Sequence, residues 1–137
     1  MKQNRGFTLI EIMLVVIILG VLAAMVVPRL TGRSDEARQS VAKTDIESNL
    51  ALAIDLYEVD NGGYPDSLDD LLRAPSGATS WKGPYLKKIP NDPWGRPYVY
   101  KHPGTHNADT YDLYSLGKSG QEGAGDITNW NESQQTP

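Results

Sequence analysis

Residues 7–27 read FTLIEIMLVVIILGVLAAMVV, an apolar run interrupted by one charge, Glu11. A helix that is apolar on every side belongs in a membrane or in the core of a large protein. A stretch of about 20 such residues crosses a bilayer, and a chain of 137 residues has no core large enough to hide it. Lys2 and Arg5 precede the run with no acid beside them. Positive flanking charge keeps that end cytoplasmic and places the rest of the chain across the membrane. Three fates compete for the segment. A cleaved secretory signal has a shorter apolar region, roughly 7–15 residues, and no acid. A plain anchor accounts for the length but leaves Glu11 unexplained, since an acid at a helix centre costs ~2.5–3.5 kcal/mol on insertion scales. The third fate gives Glu11 a cationic partner near the end of the span.

Composition removes several function classes. Lys and Arg total 13 against 17 Asp and Glu, a net charge of -4. That balance denies the basic stripe with which proteins neutralise nucleic-acid phosphates. Cysteine is absent, so disulfides, thiolate nucleophiles and Cys-ligated metals are excluded. His102 and His106 are separated by Pro103-Gly104, which rules out a helical metal pair, and they read as solvent-exposed loop histidines. Asp66, Asp69 and Asp70 read as helix-start acids rather than a metal cluster. No Ser/His/Asp arrangement and no phosphate-cradling glycine loop is present. No catalytic residue is expected, and the chain does not read as an enzyme.

After the apolar run, Gly20 and Pro28 are weak points for a helix. They read either as a kink near the membrane surface or as a segment that extends under packing. From residue 29 to 60 charges alternate and apolar residues recur at helical spacing. Leu30, Ala37, Val41, Ile46, Leu50, Ala53, Ile54 and Tyr57 form the stripe, widened by Leu52, Leu56 and Val59. Asn61-Gly62-Gly63 is a helix stop. A helix from 7 to 60 would be about 80 Å long. Its first half must find lipid or sister helices. Beyond it, Ser67 or Asp66 caps a short helix. Residues 83–97 carry six Pro or Gly and no regular element is expected. Residues 98–101 and 111–116 alternate in character as two antiparallel strands. Residues 117–128 read as a polar loop and 134–137 as a frayed tail. Trp81, Tyr85, Trp94, Tyr98, Tyr100, Tyr111, Tyr114 and Trp130 supply the core of a domain poor in aliphatics. The fold class is α+β: a long N-terminal helix packed on a small antiparallel sheet, with a C-terminal loop.

Gly6-Phe7-Thr8-Leu9-Ile10-Glu11 resembles the class III signal of type IV pilins and type II secretion pseudopilins. The resemblance implies that a prepilin peptidase cuts between Gly6 and Phe7 and N-methylates Phe7, so that residues 1–6 are a leader and 7–27 stay as a transmembrane and filament-core helix. The amine created at Phe7 lies one helical turn from Glu11. At ~4 Å and an effective dielectric of ~20 their attraction is about 4 kcal/mol before desolvation, which serves orientation and stagger during assembly. The segments Gly83-Pro84-Tyr85-Leu86, Asp92-Pro93-Trp94-Gly95-Arg96-Pro97-Tyr98, Tyr111-Asp112-Leu113-Tyr114-Ser115-Leu116-Gly117 and Asp126-Ile127-Thr128-Asn129-Trp130 are similar to the major pseudopilins of type II secretion. In that reading 28–60 is an amphipathic helix and 61–137 a globular periplasmic part. The chain sits in the inner membrane with a single pass until it joins a periplasmic pseudopilus that drives export. Implied partners are other copies of the chain, minor pseudopilins, the prepilin peptidase, the inner-membrane assembly platform, and lipid before assembly. A type IV pilin of surface fibres and a membrane-tethered binding module are the rival readings.

The same resemblance implies calcium in the C-terminal loop, through Asp126, the Leu116 carbonyl and, where the family has an aspartate, Ser119. Calcium takes about six to eight oxygens. Here the loop is shorter, two carboxylates are missing and Lys118 is added. The alternative is a calcium-free loop held by Trp130 packing and backbone hydrogen bonds.

Overall fold

In the computed structural model, residues 6–131 are described, with the side chains of 27–32 left aside. The leader before Gly6, the tail 134–137 and the Leu30 and Pro28 side chains therefore lie outside the described parts. The chain divides into two units, one ending at Glu36 and one starting at Ala37.

The first unit is helical from Leu9 onward, within helix α1 (Leu9–Thr44). Among the described residues its large apolar side chains, from Phe7 to Val26, are all open, from Val15 at 46% to Leu9 at 81% exposure. Such a surface is unstable in water; at roughly 25 cal/mol per Å² its transfer to lipid or to protein is strongly favourable. The helix passes through Gly20 and Pro28 without ending.

The second unit holds the end of α1, a π-turn (Asp45–Asn49), helix α2 (Leu50–Asn61), a 3-10 turn (Leu68–Leu71) and three short strands. The π-turn replaces the uninterrupted α-helix expected over 29–60. Ile46 within it is 1% exposed. Asp45 accepts a hydrogen bond from Asn49 Nδ2 at 2.7 Å and one from the Tyr98 hydroxyl at 2.9 Å. Single π-turns of this kind re-aim side chains within a helix; here Asp45 meets Tyr98. Helix α2 stops as the sequence predicts: Gly62 takes φ +79° at the C-cap and its N–H bonds to the Glu58 carbonyl. That left-handed conformation favours glycine. At the 3-10 turn the Asp70 carboxylate accepts from the Ser67 N–H at 3.0 Å, so Ser67 is the cap.

Ala42, Ile46, Leu50, Ala53, Ile54 and Tyr57 are buried along one helical face. Val41, expected within the stripe, and Leu52, Leu56 and Val59, expected to widen it, instead point outward at 47–80% exposure. One helix face suffices because the sheet opposite is small. Strand β1 (Val99–Lys101) pairs antiparallel with β2 (Asp112–Ser115), Val99 opposite Tyr114 and Lys101 opposite Asp112. A third strand, β3 (Ile127–Thr128), pairs with the other edge of β2, Ser115 opposite Ile127. This corrects the expectation of a loop running to 128. Every residue of β2 is buried. Tyr98, Tyr111 and Leu113 join the helix in the core, with Trp81, Tyr85 and Tyr100 packed against it. Residues 83–97 form no strand or helix, only an isolated bridge between Asn91 and Pro97.

Candidate functional site

At the N-terminus, Gly6 is exposed and has nothing within 4 Å of where a Cβ would lie. Residues 6–8 precede the helix and are exposed, so the Gly6–Phe7 peptide lies outside the helical hydrogen bonding. Thr8 and Glu11 face each other across the first turn. The Thr8 N–H points to Glu11 Oε2 at 3.5 Å, and the Glu11 N–H to Thr8 Oγ1 at 3.4 Å. This is a capping box, which satisfies two of the helix's free N–H groups. Glu11 therefore has a local partner before any amine exists at Phe7. The spacing Thr-x-x-Glu carries that information in the sequence.

The C-terminal loop begins at the end of β2 and is set by one buried carboxylate. Asp92, 4% exposed, accepts from the Trp94 N–H at 3.0 Å and the Arg96 N–H at 2.8 Å through Oδ1. Its Oδ2 takes the Ser115 hydroxyl at 2.6 Å. Ser115 Oγ in turn accepts from the Gly117 N–H at 3.0 Å. Gly95, at φ +86°, completes the turn that folds 92–96 around the carboxylate. Arg96 Nη1 then reaches the Gly117 carbonyl at 2.7 Å. Sequence reading singled out neither Arg96 nor Asp92 as a loop residue.

The three expected calcium ligands are placed as follows. The Leu116 carbonyl accepts from the Gly120 N–H at 3.1 Å and from the Ser119 hydroxyl at 3.2 Å. Ser119 Oγ also accepts from the Gln121 N–H at 3.2 Å. Asp126 Oδ2 accepts from the Gly123 N–H at 3.0 Å, while its Oδ1 is buried without a hydrogen-bond partner. Among the described residues of this loop, that orphan oxygen is the feature that suits a cation. Asp126 lines an open cleft of about 700 Å³ with Glu122, His106 and Trp130, and neither Leu116 nor Ser119 reaches that wall. Among the described residues no three acidic or histidine side chains are grouped as a metal site requires. One free carboxylate oxygen falls far short of the set that calcium takes.

The far side of the loop is closed by aromatic and polar contacts. His106 stacks flat on Trp130, with ring centres 4.0 Å apart. Its Nδ1 lies 3.1 Å from Asp112 Oδ2. His106 is thus an exposed loop histidine, as the sequence reads, that in addition packs against Trp130 and Asp112. The Asp112 side chain is 1% exposed and accepts from the N–H groups of Thr105, His106 and Asn107 at 2.7–2.9 Å. Burial opposes its ionisation, but these backbone bonds and His106 outweigh it and hold the carboxyl below the ordinary aspartate value. Asn129 extends the strand ladder: its Oδ1 accepts from the Leu113 N–H and its Nδ2 donates to the Tyr111 carbonyl, both at 3.0 Å. Trp130 is thereby fixed at the loop's exit. Glu122, within the loop, accepts from the Tyr114 hydroxyl and pairs with Lys101 at 3.6 Å.

Comparison with known proteins agrees with this architecture. Residues 29–130 match the family described as type II secretion system (T2SS), protein G, and residues 1–27 match the prokaryotic N-terminal methylation motif. The type II secretion system core protein G of Pseudomonas aeruginosa is 50% identical over 140 residues, covering 94% of this chain and 96% of that protein. The protein of the same description from Escherichia coli K12 is 46% identical over 136 residues, covering 93% and 92%. The crystal structure of the major pseudopilin from the type 2 secretion system of enterohaemorrhagic Escherichia coli superposes with a TM-score of 0.66 at 28% identity, covering 79% of this chain and 95% of that one.

Proposed function

The chain belongs to the type II secretion system protein G family, and on that premise we propose how it passes from membrane to fibre. It is a structural subunit of the type II secretion pseudopilus. In our reading the prepilin peptidase removes residues 1–6 and methylates the amine of Phe7. The helix from Leu9 holds the subunit in the inner membrane, and the second unit lies in the periplasm. The assembly platform then moves the subunit into a fibre of its own kind, tipped by minor pseudopilins, which pushes cargo outward.

The observation that carries this reading is the contrast between the two units. The second has its own buried core, while the first exposes every large apolar side chain from Leu9 to Val26. A chain so divided needs two successive solvents for one helix, lipid and then sister helices. Glu11 is the group that distinguishes them. In lipid its carboxylate is served by Thr8; in the fibre a neighbour's Phe7 amine is the stronger partner, because it brings a full opposite charge where the Thr8 N–H brings only a dipole.

The test is export. Cells that lack this chain should accumulate a type II substrate in the periplasm, and the wild-type chain supplied in trans should restore its release. Normal release without the chain contradicts the proposal.

A further inference from the structure

The loop for which calcium is expected already contains a cation of the protein's own. Arg96 Nη1 donates to the Gly117 carbonyl at 2.7 Å. Gly120, at φ +71°, lies flat against the same head group: a Cβ there would stand 2.6 Å from the guanidinium carbon, 2.7 Å from Nη2 and 2.8 Å from Nε. Glycine is favoured at 120 by its backbone conformation, and a side chain there would have to push the guanidinium aside.

The arginine is aimed by the turn that bears it. Asp92 takes the Arg96 N–H at 2.8 Å and donates its own N–H to the Arg96 carbonyl at 2.7 Å. Through Ser115 the same carboxylate fixes the Gly117 N–H. One buried group therefore sets both the base of the arginine and the carbonyl it reaches.

We infer that the Arg96 guanidinium is the resident cation of the 116–126 loop and closes it in place of calcium. A guanidinium offers five donors in a rigid plane and is always charged. It is tethered, so closure does not depend on an ion's concentration. Its positive charge, with that of Lys118 in the same loop, opposes entry of a divalent cation. The Leu116 carbonyl and Ser119 hydroxyl are already engaged in the loop's own turns.

The experiment uses the full-length chain in detergent micelles. Thermal unfolding is followed by near-ultraviolet circular dichroism with calcium, with magnesium and with a chelator. Calcium alone is also titrated by calorimetry. Loop opening is followed separately by a lysine-specific protease cutting after Lys118. For wild type the midpoint should be the same in all three conditions, with no saturable heat. Arg96→Gln should lower the midpoint by about 5–10 °C and speed cleavage at Lys118 about tenfold, with neither effect reversed by calcium. Arg96→Lys should fall between the two. A wild-type midpoint raised by calcium but not by magnesium, with saturable calcium heat, overturns the inference. So does an Arg96→Gln chain with the wild-type midpoint and cleavage rate. If Arg96→Gln does not fold, the wild-type titration decides alone.

Discussion

The Ser115 hydroxyl donates to Asp92 Oδ2 at 2.6 Å across a separation of 23 residues, with both groups buried. This one bond joins the glycine- and proline-rich turn at 92–96 to the central strand of the sheet. Hydrogen bonds to charged groups contribute about 1.5–3 kcal/mol, and a buried carboxylate left short of donors costs more. Ser115→Ala should therefore destabilise the chain by about 2 kcal/mol and Asp92→Ala by about 3 kcal/mol or more. The double variant should lose less than the sum, with a coupling of about 1 kcal/mol or more. Additive losses in thermal or denaturant unfolding would mean that the pair is not coupled.

Asp112 gives the second unit an acid limit. Its carboxyl titrates below the ordinary aspartate value of 3.8 because backbone N–H groups and His106 outweigh its burial. A depressed carboxyl contributes stability that is fully present above the unfolded-state value and is lost as pH falls through the folded-state value. Wild type should thus hold its stability above about pH 4 and lose it progressively below. Asp112→Asn should be less stable at neutral pH and flatter below pH 4. Parallel acid-unfolding curves for the two chains would remove Asp112 from this role.

Much of the fold was legible because it rests on local signals. The apolar run, the stop at Gly62, the cap at Ser67 and the first two strands all follow from spacing within a few residues. What was not legible depends on partners distant in sequence. Strand β3 has two residues in a glycine-rich stretch, too short for any period to show. The π-turn at Asp45–Asn49 follows from how Ile46 and Asp45 meet the core and Tyr98, not from a residue pattern. Arg96 reads as one more charge in a loop until Asp92, Ser115 and Gly117 are brought beside it. The Thr8–Glu11 box is the exception, since its spacing alone announces it.

Glu11 can be tested without losing its local task. Glutamine at this position keeps an acceptor for the Thr8 N–H but carries no charge. Glu11→Gln should insert and fold normally, yet yield about tenfold less fibre, the equivalent of ~1.4 kcal/mol in assembly. Glu11→Ala also loses the cap, worth about 1 kcal/mol, and should do no better. Wild-type fibre yield from Glu11→Gln would show that the charge is not needed.

Helix α1 is continuous through Gly20 and Pro28 in the single chain. Those two residues make 20–28 the stretch that unwinds at least cost. In the assembled fibre it should lose regular helix, which lets packed subunits accommodate extension. A fibre map at near-atomic resolution with unbroken α-helix over 20–28 would refute this.

In the proposed pathway this membrane-held chain becomes a fibre subunit by cleavage after Gly6. Intact-mass and N-terminal peptide spectrometry of fibre-assembled protein tests it most directly. Assembled subunits should begin at N-methylated Phe7, and a Gly6→Val chain should keep its leader and stay in the membrane. Assembled fibres whose subunits begin at Met1 or Lys2, or at any residue beyond Phe7, would contradict it.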